Sequence, residues 1–315
     1  MPASRRRLTS LAAYGLFALC LVAAGVAIVS RGSQLTQALQ RLSPLSLLGS
    51  FAAGSLGVLA MYGSWLAAVR DGGVVLSRRN GLAIYGIGQV GKYLPGSVWP
   101  VVTQAALGSR LGISRLRMAS GSLLALAVGV AEALVLGCVL LPFSSAHAAR
   151  QLWWAPLLAL PMVIALVPAV LNRLVGLAAR LLRRPQPDSA YTLGGILRSA
   201  GWALLGNLLF GLHVLLLGQP FGLDDPRGYL LSVCAFALAA GAGVLVVFAP
   251  AGAGAREAVL TAVLAPVLTV DAALAVTLVS RLVLVLADVM LAVSQLRGMS
   301  RSDRRQLVEP SRSST

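Results

Sequence analysis

Arg256 and Glu257 stand side by side at the end of a glycine-rich turn, Pro250-Ala251-Gly252-Ala253-Gly254-Ala255, and a mainly apolar stretch follows them. Arginine in the first turn of a helix adds its charge to the positive end of the helix dipole, and a phosphate or other oxyanion suits that spot. An internal arginine–acid pair that locks the fold is the alternative for the same two residues. Lys92 opens a second broken turn, Lys92-Tyr93-Leu94-Pro95-Gly96-Ser97-Val98-Trp99. It either reaches the same phosphate or extends its ammonium to the membrane surface. Tyr93 and Trp99 read as interface anchors or packing residues.

Glu132, Arg281 and Asp288 are the other charges inside apolar runs. A charge at mid-bilayer costs about 2.5–3.5 kcal/mol on insertion scales, so each needs a partner or a wet cavity. With Lys92, Arg256 and Glu257 they make three basic and three acidic residues, which permits neutral pairing within a bundle. Arg281 and Asp288 are two helical turns apart on one face, so each should meet a different helix. Gln89, Gln104, Glu132 and Glu257 are expected to line a polar cavity. Asn207 and His213 read as interhelical hydrogen-bonding residues. The candidate substrate-binding set is Arg256, Glu257, Lys92 and Glu132, with the turn residues Pro95, Gly96, Gly252 and Gly254. No catalytic residue, metal or cofactor is expected. His147 and His213 are the only histidines, and Cys20, Cys138 and Cys234 lie singly in apolar runs. Gly86-Ile-Gly88-Gln-Val-Gly91 matches a dinucleotide fingerprint in letters alone. That fingerprint needs an acidic residue about 20 positions on, and position 111 is Leu.

The elements that must position these residues are membrane helices. Hydrophobic residues make up 57% of the 315 and charged residues 11%, against about 45–50% and 25% in ordinary globular proteins. Mean hydropathy is +0.83. This excludes a soluble enzyme, a disordered chain and a disulfide scaffold. A net charge of +16 would point to nucleic acid in a soluble chain. Here the arginines sit in short stretches between apolar runs, so the membrane surface accounts for them and no nucleic acid partner is expected.

Runs 11–29, 45–69, 118–149, 151–172, 199–223, 228–255 and 272–296 are each long enough to span. With the N-terminus inside, eight crossings place 20 basic residues in cytoplasmic segments and 4 outside, the expected asymmetry. The eighth must come from a short, broken or re-entrant element near 255–270. Both termini are then cytoplasmic and the protein is a multi-pass protein of the cell membrane. The expected fold is all-α, about eight helices with two broken or re-entrant segments, 80–109 and 248–268. Domain organisation follows: a basic tail over 1–10, one membrane domain over 11–298 divided near 183–191, and a disordered tail over 299–315. Segment 80–109 is too apolar for a loop and too rich in Gly and Pro for one straight helix. Its two ends need the same side, so a hairpin turning near Lys92–Gly96 is predicted. Paired interrupted segments mark a transport site in membrane proteins.

Lys92-Tyr93-Leu94-Pro95-Gly96-Ser97-Val98-Trp99 resembles a signature of one branch of the flippase-like family named for the lysylphosphatidylglycerol synthase transmembrane region. The Pro250–Glu257 stretch resembles its second, a glycine-rich turn ending in Arg-Glu. The resemblance covers about residues 8–298. It implies a bundle of about eight helices with re-entrant elements that moves a lipid with a bulky polar headgroup between leaflets. Other branches carry an acidic residue shortly after the first Pro-Gly, where this chain reads Ser97-Val98-Trp99-Pro100. A synthase domain is not expected, so the expectation is a non-enzyme that translocates an anionic lipid, phospholipid or polyprenyl-phosphate-linked. The alternative is an accessory scaffold for a membrane glycosyltransferase or another envelope-biosynthesis enzyme.

Overall fold

In lipid, every backbone polar group must be satisfied within its own segment, which leaves helices as the available element for such a sequence. The computed structural model describes residues 36–37, 39–93, 98–144, 155–181, 190–246, 252 and 254–298. The first predicted span, both tails and most of the 183–191 linker lie outside them. Ten α-helices run through the described residues: α1 (Pro44–Asp71), α2 (Arg78–Val90), α3 (Trp99–Arg110), α4 (Arg115–Ser144), α5 (Ala155–Ala165), α6 (Pro168–Leu181), α7 (Leu193–Gly218), α8 (Pro226–Leu245), α9 (Ala255–Leu264) and α10 (Val270–Gly298). Five of them, α1, α4, α7, α8 and α10, are long and apolar enough to cross a membrane. The fold is an all-α polytopic bundle.

Helices in lipid gain little from burying apolar faces against each other, so close packing at small residues and interhelical hydrogen bonds hold them together. The α1–α7 seam shows both. The helices run antiparallel, with Gly54 facing His213, Gly57 facing the Phe210 ring, Gly63 facing the Trp202 indole and Gly206 facing Met61. Ser64 and Ser199 share a hydroxyl hydrogen bond of 2.9 Å across it. His213, fully buried, ties α1 and α7 to α10. Its Nδ1 lies 2.7 Å from the Ser50 hydroxyl and 3.0 Å from the Ser50 carbonyl. Nε2 lies 2.8 Å from the Ser280 hydroxyl. Both ring nitrogens have partners, and the ring is a structural node as its place in an apolar run suggested.

Capping fixes the end of the bundle where α1 stops and α7 starts. Asp71 accepts from the Thr192 N–H at 2.8 Å and from its hydroxyl at 2.6 Å. Thr192 in turn caps the Gly195 N–H at 3.0 Å, leaving fewer orphan donors at this helix start.

The predicted span over 151–172 is not a single helix. It breaks at Leu166–Val167 into α5 and α6, because Pro168 has no N–H to donate and its ring disfavours helical geometry in the residue before it. The amphipathic α6 turns Leu171 and Val175 toward Tyr191 and Ile196 at the start of α7.

The 80–109 segment forms an antiparallel hairpin of two half-length helices, α2 and α3, joined through a 3₁₀ turn at Gly91–Tyr93. With 13 and 12 residues they reach about 20 and 18 Å, too little for a 30 Å core. Gly91 lies against Trp99 and Thr103, Gly88 against Gln104, and Gly86 against Leu291 and Gln295 of α10. The fingerprint-like glycines are contact points between helices.

The second interruption comes after α8. Gly252 (φ 68°) and Gly254 (φ 88°) take the left-handed region that favours glycine. A Cβ on Gly252 would meet the Gly243 backbone, so the turn folds back onto α8. The chain becomes helical again at Ala255, as the sequence indicates, and α9 runs antiparallel to α10, with Thr261 and Thr277 hydroxyls 3.1 Å apart.

Gly121 tests the packing account. A Cβ there would stand 2.7 Å from the Val69 Cα, which is backbone and cannot swing aside. Gly121→Val should lower stability by about 1–3 kcal/mol in detergent, measured by reversible denaturation. Gly201→Ala, which meets nothing within 4 Å, should leave it unchanged or slightly higher.

Candidate functional site

Both interruptions face one cavity of about 310 Å³, lined by α1, α2, α3, α4, α7, α8, α9 and α10. Trp65, Tyr85, Phe210 and Phe236 give it apolar walls, and Gln89, Lys92, Gln104, Asn207, Arg256, Arg281 and Asp288 bring polar atoms to it.

Asp288 projects from α10, and its side chain is 1% exposed. Its Oδ2 accepts from Lys92 Nζ at 2.6 Å and from the Tyr93 hydroxyl at 2.6 Å. The hairpin turn is thereby fastened to α10 at its tip. Lys92, 29% exposed, also lies 5.5 Å from the centre of the Tyr93 ring. Tyr93 is therefore a ligand of a buried carboxylate, a role its position beside Lys92 did not announce.

Glu257 does two jobs at the start of α9. Oε2 accepts from the Gly254 N–H at 2.7 Å, which satisfies a donor at the helix start. Oε1 pairs with Arg281 at 2.9 Å. Both oxygens are thus committed, and Glu257 is not among the residues that line the cavity. As the seven-residue spacing predicted, Arg281 and Asp288 each meet a different element.

Glu132 does not line the cavity either. One carboxylate oxygen accepts from the Asn207 amide, and the other, Oε1, is buried without a partner among the described residues. Asn207 itself lines the cavity.

Arg256 is different. It lines the cavity, and its guanidinium lies 4.7 Å from the centre of the Phe236 ring. Among the described residues it makes no hydrogen bond and no ion pair within 4 Å. The neutral pairing expected of six charges is thus incomplete: two pairs close, Glu132 takes an amide instead of a cation, and Arg256 remains without an acid. No acid pairs directly with the Arg256 guanidinium, although Glu257 and Asp288 both stand within its electrostatic reach.

Of the predicted site residues, Lys92, Gly252 and Arg256 line this cavity together. Glu132 and Glu257 are not among its lining residues, and Gly254 shapes the turn as an exposed residue. Pro95 and Gly96 lie outside the described residues. Phe236, the ring beneath Arg256, comes from an apolar run that gave no sign of it.

A comparison with known protein families matches residues 13–292 to the lysylphosphatidylglycerol synthase TM region. The chain belongs to that family. The match takes in both interrupted segments and every residue of the cavity. A comparison with curated proteins finds no significant match.

The Asp288 triad can be tested as a unit. Lys92→Met alone leaves a buried carboxylate short of its cation and should cost about 1.5–3 kcal/mol. Lys92→Met with Asp288→Leu removes both charges and should recover most of it. Thermal unfolding of both variants in detergent checks this.

Proposed function

We propose that this protein moves an anionic lipid between membrane leaflets, with the phosphate held at Arg256. The Arg256 guanidinium, which lines the cavity with no direct ion-pair or hydrogen-bond partner among the described residues, carries the reading. A charged group placed away from bulk water demands a counter-charge, and a phosphate headgroup supplies one through charge-assisted hydrogen bonds. Arg256 also sits in the first turn of α9, where the helix dipole adds to its field. Lys92 lines the same cavity and can share the load as the headgroup passes.

The two interruptions give such a headgroup a way through. In this reading the α2–α3 hairpin is re-entrant, entering from and returning to the cytoplasmic side, and α9 with its preceding turn completes a short eighth crossing. Arg70, Arg78, Arg110, Arg115 and Arg297 all lie at helix ends on one side of the bundle. That side is the cytoplasmic face of the cell membrane, and both termini belong there. The sequence holds no ATP-binding motif, and movement in this reading is passive, ion-coupled or driven by consumption of the product.

The test is a flipping assay in proteoliposomes with an acyl-labelled fluorescent phosphatidylglycerol and a membrane-impermeant quencher. Wild-type protein should speed loss of inner-leaflet fluorescence above protein-free vesicles. Arg256→Gln should slow it by about tenfold or more, the worth of a hydrogen bond to a charged group. Equal rates for the two proteins would remove Arg256 from the mechanism and favour a scaffolding role.

A further inference from the structure

Resting on that reading, we infer that the headgroup this cavity selects is a phosphodiester whose second substituent is small, uncharged and hydroxyl-rich, and that a cationic, aminoacylated headgroup is rejected. The argument follows from which polar atoms of the cavity are already engaged and which are not.

No carboxylate oxygen is left to receive a cation. Asp288 Oδ2 is taken by Lys92 and Tyr93, and Glu257 is taken by Arg281 and the Gly254 N–H. The two uncommitted oxygens, Asp288 Oδ1 and Glu132 Oε1, are sealed within the protein. The face of Phe236, which could hold an ammonium, is already covered by Arg256. An aminoacyl headgroup would bring an ammonium beside Arg256, Arg281 and Lys92 with no carboxylate oxygen to receive it, and like charges held close outside bulk water repel strongly.

Neutral hydrogen-bonding groups, by contrast, stand ready. Gln104 is 3% exposed, lines the cavity, and its amide makes no hydrogen bond among the described residues. Its stem lies against Gly88, where a Cβ would come within 2.6 Å of Gln104 Cγ, so the glycine gives the side chain its place. Gln89, on the facing helix of the hairpin, lines the cavity with its amide equally unengaged. Asn207 spends its amide N–H on Glu132 and keeps its carbonyl oxygen. Amides both donate and accept, as hydroxyls do, and Trp65 and Phe210 offer apolar faces to the C–H groups of a polyol or sugar ring. The volume, about 310 Å³, accommodates a phosphate with one glycerol- or monosaccharide-sized group.

The test is a titration of the full-length protein in mild detergent by native mass spectrometry with four probes. Phosphatidylglycerol carries the diester and two hydroxyls. Phosphatidylethanol carries the same charge and none. Lysylphosphatidylglycerol adds the cation, and glycerophosphoglycerol is the headgroup without acyl chains. Phosphatidylglycerol should bind about threefold to tenfold tighter than phosphatidylethanol, the range for neutral hydrogen bonds. It should bind at least tenfold tighter than lysylphosphatidylglycerol. Gln104→Leu, and separately Gln89→Leu, should shrink the first ratio toward one while phosphatidylethanol still binds, which shows the variants are folded. Lysylphosphatidylglycerol binding as tightly as phosphatidylglycerol, or an undiminished ratio in both variants, would overturn the inference alone. Glycerophosphoglycerol binding as well as the lipid would overturn a lipid as the ligand. Unchanged binding of every anionic probe to Arg256→Gln would overturn the phosphate site itself and the function proposed from it.

Discussion

A carboxylate on α10 holds the half-length helices in place. Asp288 receives Lys92 and Tyr93 from the tip of the α2–α3 hairpin, and two helices too short to span gain an anchor on one that does. Without that contact the turn would carry an ammonium and a phenol into the protein with no acceptor. The same helix supplies Arg281, which holds Glu257 and through it the start of α9. Both interruptions of the chain are therefore pinned to α10 by charge, seven residues apart. The rest of the bundle can be built from small residues and hydroxyl bonds because these two points bear the polar load.

One consequence is the isolation of Arg256. The residue next to it, Glu257, is drawn away by the Gly254 N–H and by Arg281, and Asp288 is occupied by the hairpin. Each acid that lies near enough to neutralise Arg256 is spent on holding a turn. The guanidinium carbon lies 4.7 Å from the centre of the Phe236 ring, a cation–π contact that leaves its hydrogen-bond donors unspent. The pairing that holds the two turns is thus what leaves Arg256 facing the cavity without a direct acid partner.

Much of this was legible in the sequence, for definite reasons. Charges in apolar runs are costly enough to be noticed, so Lys92, Glu132, Arg256, Glu257, Arg281 and Asp288 stood out by type alone. Glycine and proline clusters located both interruptions, and the seven-residue spacing foretold that Arg281 and Asp288 would serve different elements. What escaped was partner choice. Nothing in the spacing says that Lys92 takes Asp288, that Tyr93 joins it, or that Asn207 serves Glu132, because those contacts span 196, 195 and 75 positions. The break at Pro168 was overlooked because hydropathy averages over a proline that local geometry cannot ignore. Gln89 and Gln104 were expected at the cavity, but their unengaged amides emerge only once their neighbours are known.

An experimental structure of the protein in nanodiscs containing phosphatidylglycerol would test the central claim most directly. The account predicts phosphate density in the cavity with its oxygens about 2.7–2.9 Å from the Arg256 guanidinium, and Lys92 still on Asp288. A cavity without phosphate and Arg256 paired to a carboxylate of its own chain would contradict it.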